Sequence, residues 1–403
     1  MHILLRAGVT VLCVMVGASA TAQVVAAVET FDPVAALKQL RSPDIQTRKN
    51  ALWTIDRHRR DARGLVDALV AALADPDVVT RYVAAYVLTS VDPQRAAPAL
   101  PLLAAMLRSD VEMNDSSPRI LAPIGLGRLG RAGADALVAA LADPHPATQI
   151  AAAQGLMTSD VFPPGAVPPL IKVARGPDAD ARHQALVTLV IRKPPAERMI
   201  QPLLDALHDP EADMRAVAAS GLGAYRRDAI RALEALKLAT NDSEGRVAIS
   251  AASAVAAIDR QSGLELLPMF IAELTRPERA RRVDEHSDRR LMDVSSALAI
   301  LGPDAGRALP ALIRVFEREY GFAKLDLGIA VALVHPGSAG PVVTFLIDEL
   351  EKGDDGMRYR VLVRLPELGT IAAPTAPAVS RLTSSSDPII SDAATKALAA
   401  IRR

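Results

Sequence analysis

Between residues 199 and 226, apolar residues recur at helical spacing in two stretches that a short polar turn separates. The first stretch carries Ile200, Leu203, Leu204 and Leu207, and the second carries Met214, Val217, Ala218 and Leu222. Positions three and four residues apart share one face of a helix, so each stretch predicts an amphipathic helix. Because the turn at Asp209-Pro210 is short, the two helices are expected to pack against each other as an antiparallel pair.

This pattern returns about every 33 residues along the chain. The turns of the successive copies begin at Ser42, Asp75, Asp143, Gly176, Asp209 and Asn241. A fixed period of this length indicates a stacked repeat protein. We therefore predict an all-α fold, a right-handed α-α superhelix or solenoid of about eleven antiparallel helix pairs. The repeat pattern is regular to about residue 260 and looser over 262–403, and one solenoid domain is predicted for residues 23–403.

The turn itself has a recognisable chemistry. Aspartate is a favoured residue just before a helix, and proline suits the first helical position, so we place Asp209 as the N-cap and Pro210 at the helix start. In four copies an arginine stands six residues after the start of the turn. These residues are Arg48, Arg81, Arg182 and Arg215.

The Asp-Pro turn, the arginine six residues later and the Ala/Leu-rich second helix together resemble the HEAT-repeat family. The resemblance is greatest to the short bacterial type that also occurs in phycobiliprotein lyases. In that family the turn aspartate and the following arginine form a ladder between successive repeats. The resemblance implies such a structural ladder for Asp75, Arg81, Asp209, Arg215, Arg48 and Arg182. Ser42 and Gly176 replace the aspartate and Gln149 replaces the arginine, so an incomplete ladder is expected.

Residues 1–22 have the pattern of a secretory signal peptide. A short segment with Arg6 precedes an apolar run, and small residues follow it, so cleavage is expected after Ala20 or Ala22. The apolar run is shorter than the roughly 20 residues of a membrane-spanning helix, although an uncleaved anchor is the alternative. The expected location is periplasmic or secreted, with no transmembrane segment after cleavage. The only cysteine, Cys13, falls in the segment that cleavage would remove.

The charge balance and the sequence motifs limit the classes of function that the chain could have. The 46 basic and 46 acidic residues balance, and aromatic residues are only 3% of the chain, which argues against a nucleic-acid partner. No nucleophile motif, metal motif or Walker loop is present, so we expect neither enzymatic activity nor a cofactor. The stretch from Gly125 to Gly130 matches G-x-G-x-x-G, but it ends a predicted second helix, where glycines serve packing and capping.

The segment from Arg276 to Arg290 interrupts the repeat rhythm. Loops that interrupt a regular scaffold often carry binding. The candidate partner-binding residues of this loop are Arg276, Arg279, Arg281, Arg282, His286, Arg289 and Arg290. A solvated charged loop without a partner is the alternative, and a metal site at Asp284, Glu285, His286 and Asp288 is a third interpretation.

These observations predict an exported scaffold that binds a protein or peptide through an extended surface on the second helices. Two other functions fit the same chain. One is an accessory or lyase-like protein that handles a cofactor, which rests on the family resemblance, and fold does not imply function. The other is binding to an envelope polymer or a membrane surface.

Overall fold

The computed structural model describes residues 31–111, 117–277 and 287–401, and every regular element within these ranges is a helix. The predicted signal segment, residues 1–22, lies outside them. Contacts divide the chain into two compact units, Met1–Pro195 and Ala196–Arg403, here called unit 1 and unit 2.

Unit 1 consists of five helix pairs. Their helices are α1 Pro33–Leu40, α2 Ile45–Arg57, α3 Val66–Ala72, α4 Val78–Val91, α5 Leu100–Met106, α6 Pro118–Arg128, α7 Gly130–Ala140, α8 Pro146–Thr158, α9 Val167–Ala174 and α10 Ala179–Arg192. In each pair the first helix packs against the second. The second helices α2, α4, α6, α8 and α10 also pack side by side in chain order, and we call this arrangement the second-helix layer of unit 1.

Unit 2 contains six further pairs. Its helices are α11 Ala196–Ala206, α12 Ala212–Ala224, α13 Leu233–Ala239, α14 Gly245–Ile258, α15 Arg260–Glu265, α16 Leu267–Leu274, α17 Ser287–Leu301, α18 Leu309–Arg318, α19 Gly321–Val334, α20 Gly340–Lys352, α21 Asp355–Leu368, α22 Ala376–Leu382 and α23 Pro388–Ile401. In the third of these pairs, α15 and α16 together form the first helix, and the break between them is at Leu266, two residues before Pro268. Helices α12, α14, α17, α19, α21 and α23 form the second-helix layer of unit 2.

The described residues thus form eleven helix pairs, and the predicted all-α solenoid fold is confirmed. The core of each unit lies between the first and second helices. In unit 1 it contains fully buried leucines in successive second helices, such as Leu52, Leu88 and Leu126. Since each pair buries its apolar face only against its neighbours, stability in such a stack is a sum over repeats and their interfaces.

Small residues let adjacent second helices approach closely. A Cβ added at Gly223 of α12 would lie 2.9 Å from Cα of Ala254 in α14, which leaves no room for a larger residue without moving backbone. Gly125 of α6 packs on a first helix instead, where an added Cβ would lie 2.7 Å from Cδ2 of Leu103 in α5. Gly130 has φ +58°, a left-handed conformation that favours glycine. These positions explain the G-x-G-x-x-G match as a packing feature.

The turn differs in one detail from the sequence prediction. The N-cap of α12 is Glu211, two residues after Asp209, and the helix begins at Ala212 rather than at Pro210. The Asp209 carboxylate instead accepts a hydrogen bond from the Glu211 N–H at 2.9 Å, which closes the turn before the helix starts. In α2 and α4 the residue after the proline, Asp44 or Asp77, supplies the side-chain cap. Aspartate is suited both to closing the turn and to capping the helix, because its short side chain reaches the backbone N–H groups that follow it.

Candidate binding surface and repeat ladder

Arg48 joins the first two helix pairs. It is the fourth residue of α2, and its guanidinium donates from Nε and Nη2 to the Asp75 carboxylate at 2.7 and 2.9 Å. Its Nη1 donates to the carbonyls of Ser42 and Pro43 at 3.0 Å each. The side chains of Arg48 and Asp75 are only 10% and 9% exposed. One arginine therefore holds its own turn and the turn of the next pair. The hydrogen bonds that Arg48 donates to the Asp75 carboxylate raise the pKa of Arg48.

Unit 2 contains a second copy of this arrangement. Arg215 of α12 donates to both oxygens of Asp242 at 2.7 and 2.9 Å, and to the carbonyls of Asp209 and Pro210. The hydrogen bonds from Arg215 lower the pKa of Asp242. We call the Arg48–Asp75 and Arg215–Asp242 pairs the arginine ladder. In both pairs the acid belongs to the next repeat, 27 residues further along the chain.

Polar side chains at or near the other turns make related contacts. Arg81 and Arg182 donate through Nη1 to the carbonyls of their own turns, and Gln149 does so through its amide, at 2.8 Å from the Asp143 carbonyl. Arg108, just after α5, donates to the Asp143 carboxylate at 2.6 Å. Arg358, the fourth residue of α21, reaches carbonyls at the end of α20. The sequence analysis missed Arg358 because no Asp-Pro turn precedes it.

The predicted partner-binding loop is described only at its two ends. Arg279, Arg281, Arg282 and His286 lie outside the described residues, as do the side chains of the proposed metal site. Arg276 donates to Glu273 at 3.4 Å, and Arg289 is exposed at the start of α17.

Arg290 does not have the surface position that was expected. It is only 6% exposed, and its Nε donates to the Glu273 carboxylate of α16 at 2.9 Å. Arg290 is the fourth residue of α17, the position that Arg48 and Arg215 occupy in their helices. The inserted segment hides this register in the sequence, so Arg290 was grouped with the loop although it packs inside the repeat.

The second-helix layer of unit 1 carries an aromatic cluster. Trp53 of α2 lies beside Tyr86 of α4, with ring centroids 6.1 Å apart. The Arg128 guanidinium of α6 lies over the Tyr86 ring at 5.1 Å from its centroid. Nη1 of Arg128 is buried and has no hydrogen-bond partner among the described residues, and the attraction of the cation to the ring stabilises it there. Three neighbouring second helices are joined in this way.

The second-helix layer of unit 2 carries a patch of exposed aromatic residues. Tyr320, the N-cap of α19, is 84% exposed, and Phe322 on the same helix is 44% exposed. The Arg360 guanidinium of α21 lies 4.0 Å from the centroid of the Phe322 ring. Val363, one turn further along α21, is 41% exposed. We call Tyr320, Phe322, Arg360 and Val363 the aromatic patch.

A charged pair lies next to the aromatic patch. Arg364 of α21 forms an ion pair with Asp326 of α19, one helical turn beyond the contact between Arg360 and Phe322. The two helices are therefore joined at two successive levels, and the Phe322 ring is held at a fixed place on the surface. Sequence alone shows aromatic residues at 320 and 322, but their exposure depends on how α19 and α21 pack.

Asp293 is a further residue that the sequence analysis missed. It lies on α17 with its side chain largely covered, and Ser250 of α14 donates to its Oδ2 at 2.5 Å. Burial raises the pKa of Asp293 to about 6, although the Ser250 hydrogen bond and the charge of Arg289 act in the opposite direction.

Two features are absent from the described ranges. No group of three or more His, Cys, Asp or Glu side chains in these ranges is placed to hold a metal ion. None of the helices described above has the length and hydrophobicity of a membrane-spanning segment.

Comparisons with known proteins agree with the geometry. Residues 34–117 match the family model of HEAT repeats, so the predicted resemblance to that family is confirmed over α1 to α5. No curated protein matches the sequence. Among solved structures, importin beta superimposes with a TM-score of 0.52 at 12% identity, over 92% of this chain and 57% of that chain. This likeness shows the helical solenoid fold, and this chain spans little more than half of the importin.

Two further structures are similar at low identity. The Kap95:Nup1 complex gives a TM-score of 0.50 at 10% identity, over 91% of this chain and 56% of that chain. The complex of CpcE and CpcF of phycocyanin lyase from Nostoc sp. PCC7120 gives a TM-score of 0.34 at 21% identity, over 62% of this chain and 98% of that chain.

Proposed function

We propose that this chain binds a protein or peptide partner through its second-helix layers, with the aromatic patch of unit 2 as the main contact. The proposal assigns no catalytic step and no cofactor to the chain. The observation that carries it is the exposure of Tyr320 and Phe322, since aromatic residues are only 3% of the sequence. Burying exposed aromatic rings is a large source of binding free energy in protein interfaces.

The residue types of the patch are those of a binding hot spot in a protein interface. Tyrosine and arginine are among the residues whose truncation most often costs binding energy. Arg360 already lies over the Phe322 ring, so its side chain loses little further freedom when a partner covers it. The ion pair between Asp326 and Arg364 supports the same surface from one turn away. A partner therefore meets side chains that are ordered before it binds.

Serine substitutions at the patch test this proposal. Phe322→Ser and Tyr320→Ser should each weaken the partner complex by about 2 kcal/mol, about thirtyfold in Kd, because the anchoring rings are lost. The partner is first captured by cross-linking and co-purification from the native envelope fraction. Its affinity for each purified variant is then measured by calorimetry or surface plasmon resonance.

Leu238 provides the matched control for these variants. It is 76% exposed on α13, a first helix of the same unit, so Leu238→Ser removes an exposed apolar side chain outside the second-helix layer. This variant should bind the partner as the unaltered chain does. Equal losses in Leu238→Ser and Phe322→Ser, or no loss in the patch variants, would place the contact elsewhere and reject the proposal.

We also propose that the chain is exported to the periplasm or secreted. The charged, apolar and small-residue regions of residues 1–22 support this proposal. Mass spectrometry of the N-terminus of the protein from envelope and culture fractions tests it. We expect chains that begin at Thr21 or Gln23. Chains that keep Met1 in a membrane fraction would instead support the uncleaved anchor, and chains that keep Met1 in the soluble cell interior would rule out export.

A further inference from the structure

Three arginines of unit 2 line one cavity of about 150 Å³. Arg276 follows the end of α16, and Arg314 and Arg318 lie one helical turn apart on α18. The apolar wall is formed by Leu274 and Val315, which are both buried. All lining residues belong to the described ranges.

Among the described residues, an acid offsets part of the positive charge around this cavity. Arg276 donates to Glu273 at 3.4 Å. Arg314 and Arg318, by contrast, form no ion pair or side-chain hydrogen bond with any described residue. Like charges four residues apart on a helix repel each other. An anion between these guanidinium groups would remove that repulsion.

Helix ends account for part of this arrangement, but not for all of it. The C-termini of α16 and α18 both favour nearby cations, because their last carbonyls point outward. A guanidinium that serves only a helix end needs no cavity, and neither Arg314 nor Arg318 hydrogen-bonds a carbonyl of the described chain. The three side chains instead line the same space.

We propose that this cavity binds a phosphoryl group. A carboxylate has two oxygens, which satisfy one arginine fork, whereas a phosphate monoester carries about −1.5 to −2 charges and three strong acceptor oxygens. Arg314 and Arg318, with five N–H donors each, match the larger anion, and Arg276 adds a third positive charge beside them. The volume equals that of about five water molecules at about 30 Å³ each, which accommodates a phosphate. None of the residues that line this cavity belongs to the aromatic patch, and the proposal does not depend on the partner proposed above.

Titration of the full chain with inorganic phosphate by calorimetry, at neutral pH and low ionic strength, tests the proposal. Arg314→Gln and Arg318→Gln should each weaken phosphate binding by about tenfold or more, since each removes hydrogen bonds to a charged group. Both residues are exposed, so the variants should keep the helical circular dichroism of the unaltered chain. Arg314→Lys, which keeps the charge and loses the fork, should give an intermediate loss.

Arg307→Gln is the control with the same change of charge. Arg307 is exposed between α17 and α18 and is not among the residues that line the cavity. Unchanged phosphate affinity in this variant, with losses at 314 and 318, would support the cavity as the site. If Arg307→Gln weakens binding equally, or if phosphate does not bind the unaltered chain, the proposal is wrong.

A second experiment distinguishes a lipid headgroup from a soluble ligand as the source of the phosphoryl group. Sedimentation with phosphatidylcholine vesicles, with and without phosphatidic acid, tests a lipid headgroup. Binding that requires phosphatidic acid, Arg314 and Arg318, and that inorganic phosphate competes away, would support the site with a lipid ligand. Phosphate binding without vesicle binding would support the site with a soluble phosphorylated ligand.

Discussion

Replacing Arg48 with alanine should lower the free energy of unfolding of unit 1 by about 3–5 kcal/mol. The change leaves the Asp75 carboxylate largely buried without its bidentate partner, and it also removes the donor to two turn carbonyls. Breaking one side of a buried pair is costly because the remaining charge has lost both its water and its counter-charge. The loss falls on the interface between the first two helix pairs.

The only tryptophan of the chain, Trp53, reports on this interface directly. It lies on α2, five residues after Arg48, and it contacts Tyr86 of the neighbouring second helix. Urea unfolding followed by Trp53 fluorescence should therefore show a midpoint shift for Arg48→Ala at the first transition that involves unit 1. A change in midpoint without a change in slope would mean that stability alone has changed.

Arg81→Ala is the matched comparison in the same unit. Arg81 has the same place in α4 as Arg48 has in α2, but among the described residues its hydrogen bonds go only to the carbonyls of Asp75 and Pro76. Its loss should cost about 1–2 kcal/mol, because no buried carboxylate is left unpaired. Arg48→Lys should lie between these two values, since lysine supplies a charge without a planar fork. Equal destabilisation by Arg48→Ala and Arg81→Ala would show that the pair with Asp75 contributes nothing beyond the turn.

The fold could be predicted because its signal is repeated. Helical periodicity and the Asp-Pro turn recur in copy after copy, so an error in one copy does not change the conclusion. The fixed offset from the turn also led to four arginines that all donate to turn carbonyls. What the offset could not show is which carboxylate each arginine meets. That choice depends on the stacking of one repeat on the next, as in the pairing of Arg215 with Asp242.

The residues whose positions could not be predicted from the sequence share one physical explanation. The roles of Arg290 and Arg358 follow from their position as fourth residue of a second helix, but the helix start is hidden where the turn lacks Asp-Pro. The exposure of Phe322 is likewise set by packing between helices that are distant in sequence. Helical periodicity identifies one apolar face, and it does not show which part of that face the neighbouring repeats leave uncovered.

The environment of Asp293 likewise depends on packing between helices and could not be predicted from the sequence. Its replacement is expected to have the second large effect on stability. Asp293→Asn should stabilise unit 2 by up to about 3 kcal/mol above pH 7. Burial raises the folded-state pKa from 3.8 to about 6, and each pKa unit corresponds to about 1.36 kcal/mol. The ionised carboxylate is therefore disfavoured in the folded chain at neutral pH. Asparagine removes that charge and keeps an oxygen that accepts the hydrogen bond from Ser250.

The sign of the pH dependence follows from the raised pKa. Below pH 3.8 the carboxyl is protonated in both the folded and unfolded chains, so aspartate carries no penalty there. The penalty grows as pH rises from 3.8 to about 6 and is constant above that range. The advantage of Asp293→Asn should thus shrink from about 3 kcal/mol at pH 7.5 to about 1 kcal/mol at pH 4.5. Arg289, one turn before Asp293, lowers the pKa of Asp293 and keeps the penalty from being larger.

Urea unfolding followed by circular dichroism at pH 7.5 and 4.5 measures this difference. Asp228→Asn serves as the control, because Asp228 is an exposed aspartate of the same unit and its replacement changes the formal charge by the same amount. Its effect on unfolding should be small at both pH values, since a surface charge without a buried environment contributes little. If Asp293→Asn destabilises unit 2 at pH 7.5, the ionised carboxylate must be favourable in place. The hydrogen bond from Ser250 and the charge of Arg289 would then outweigh the cost of burial.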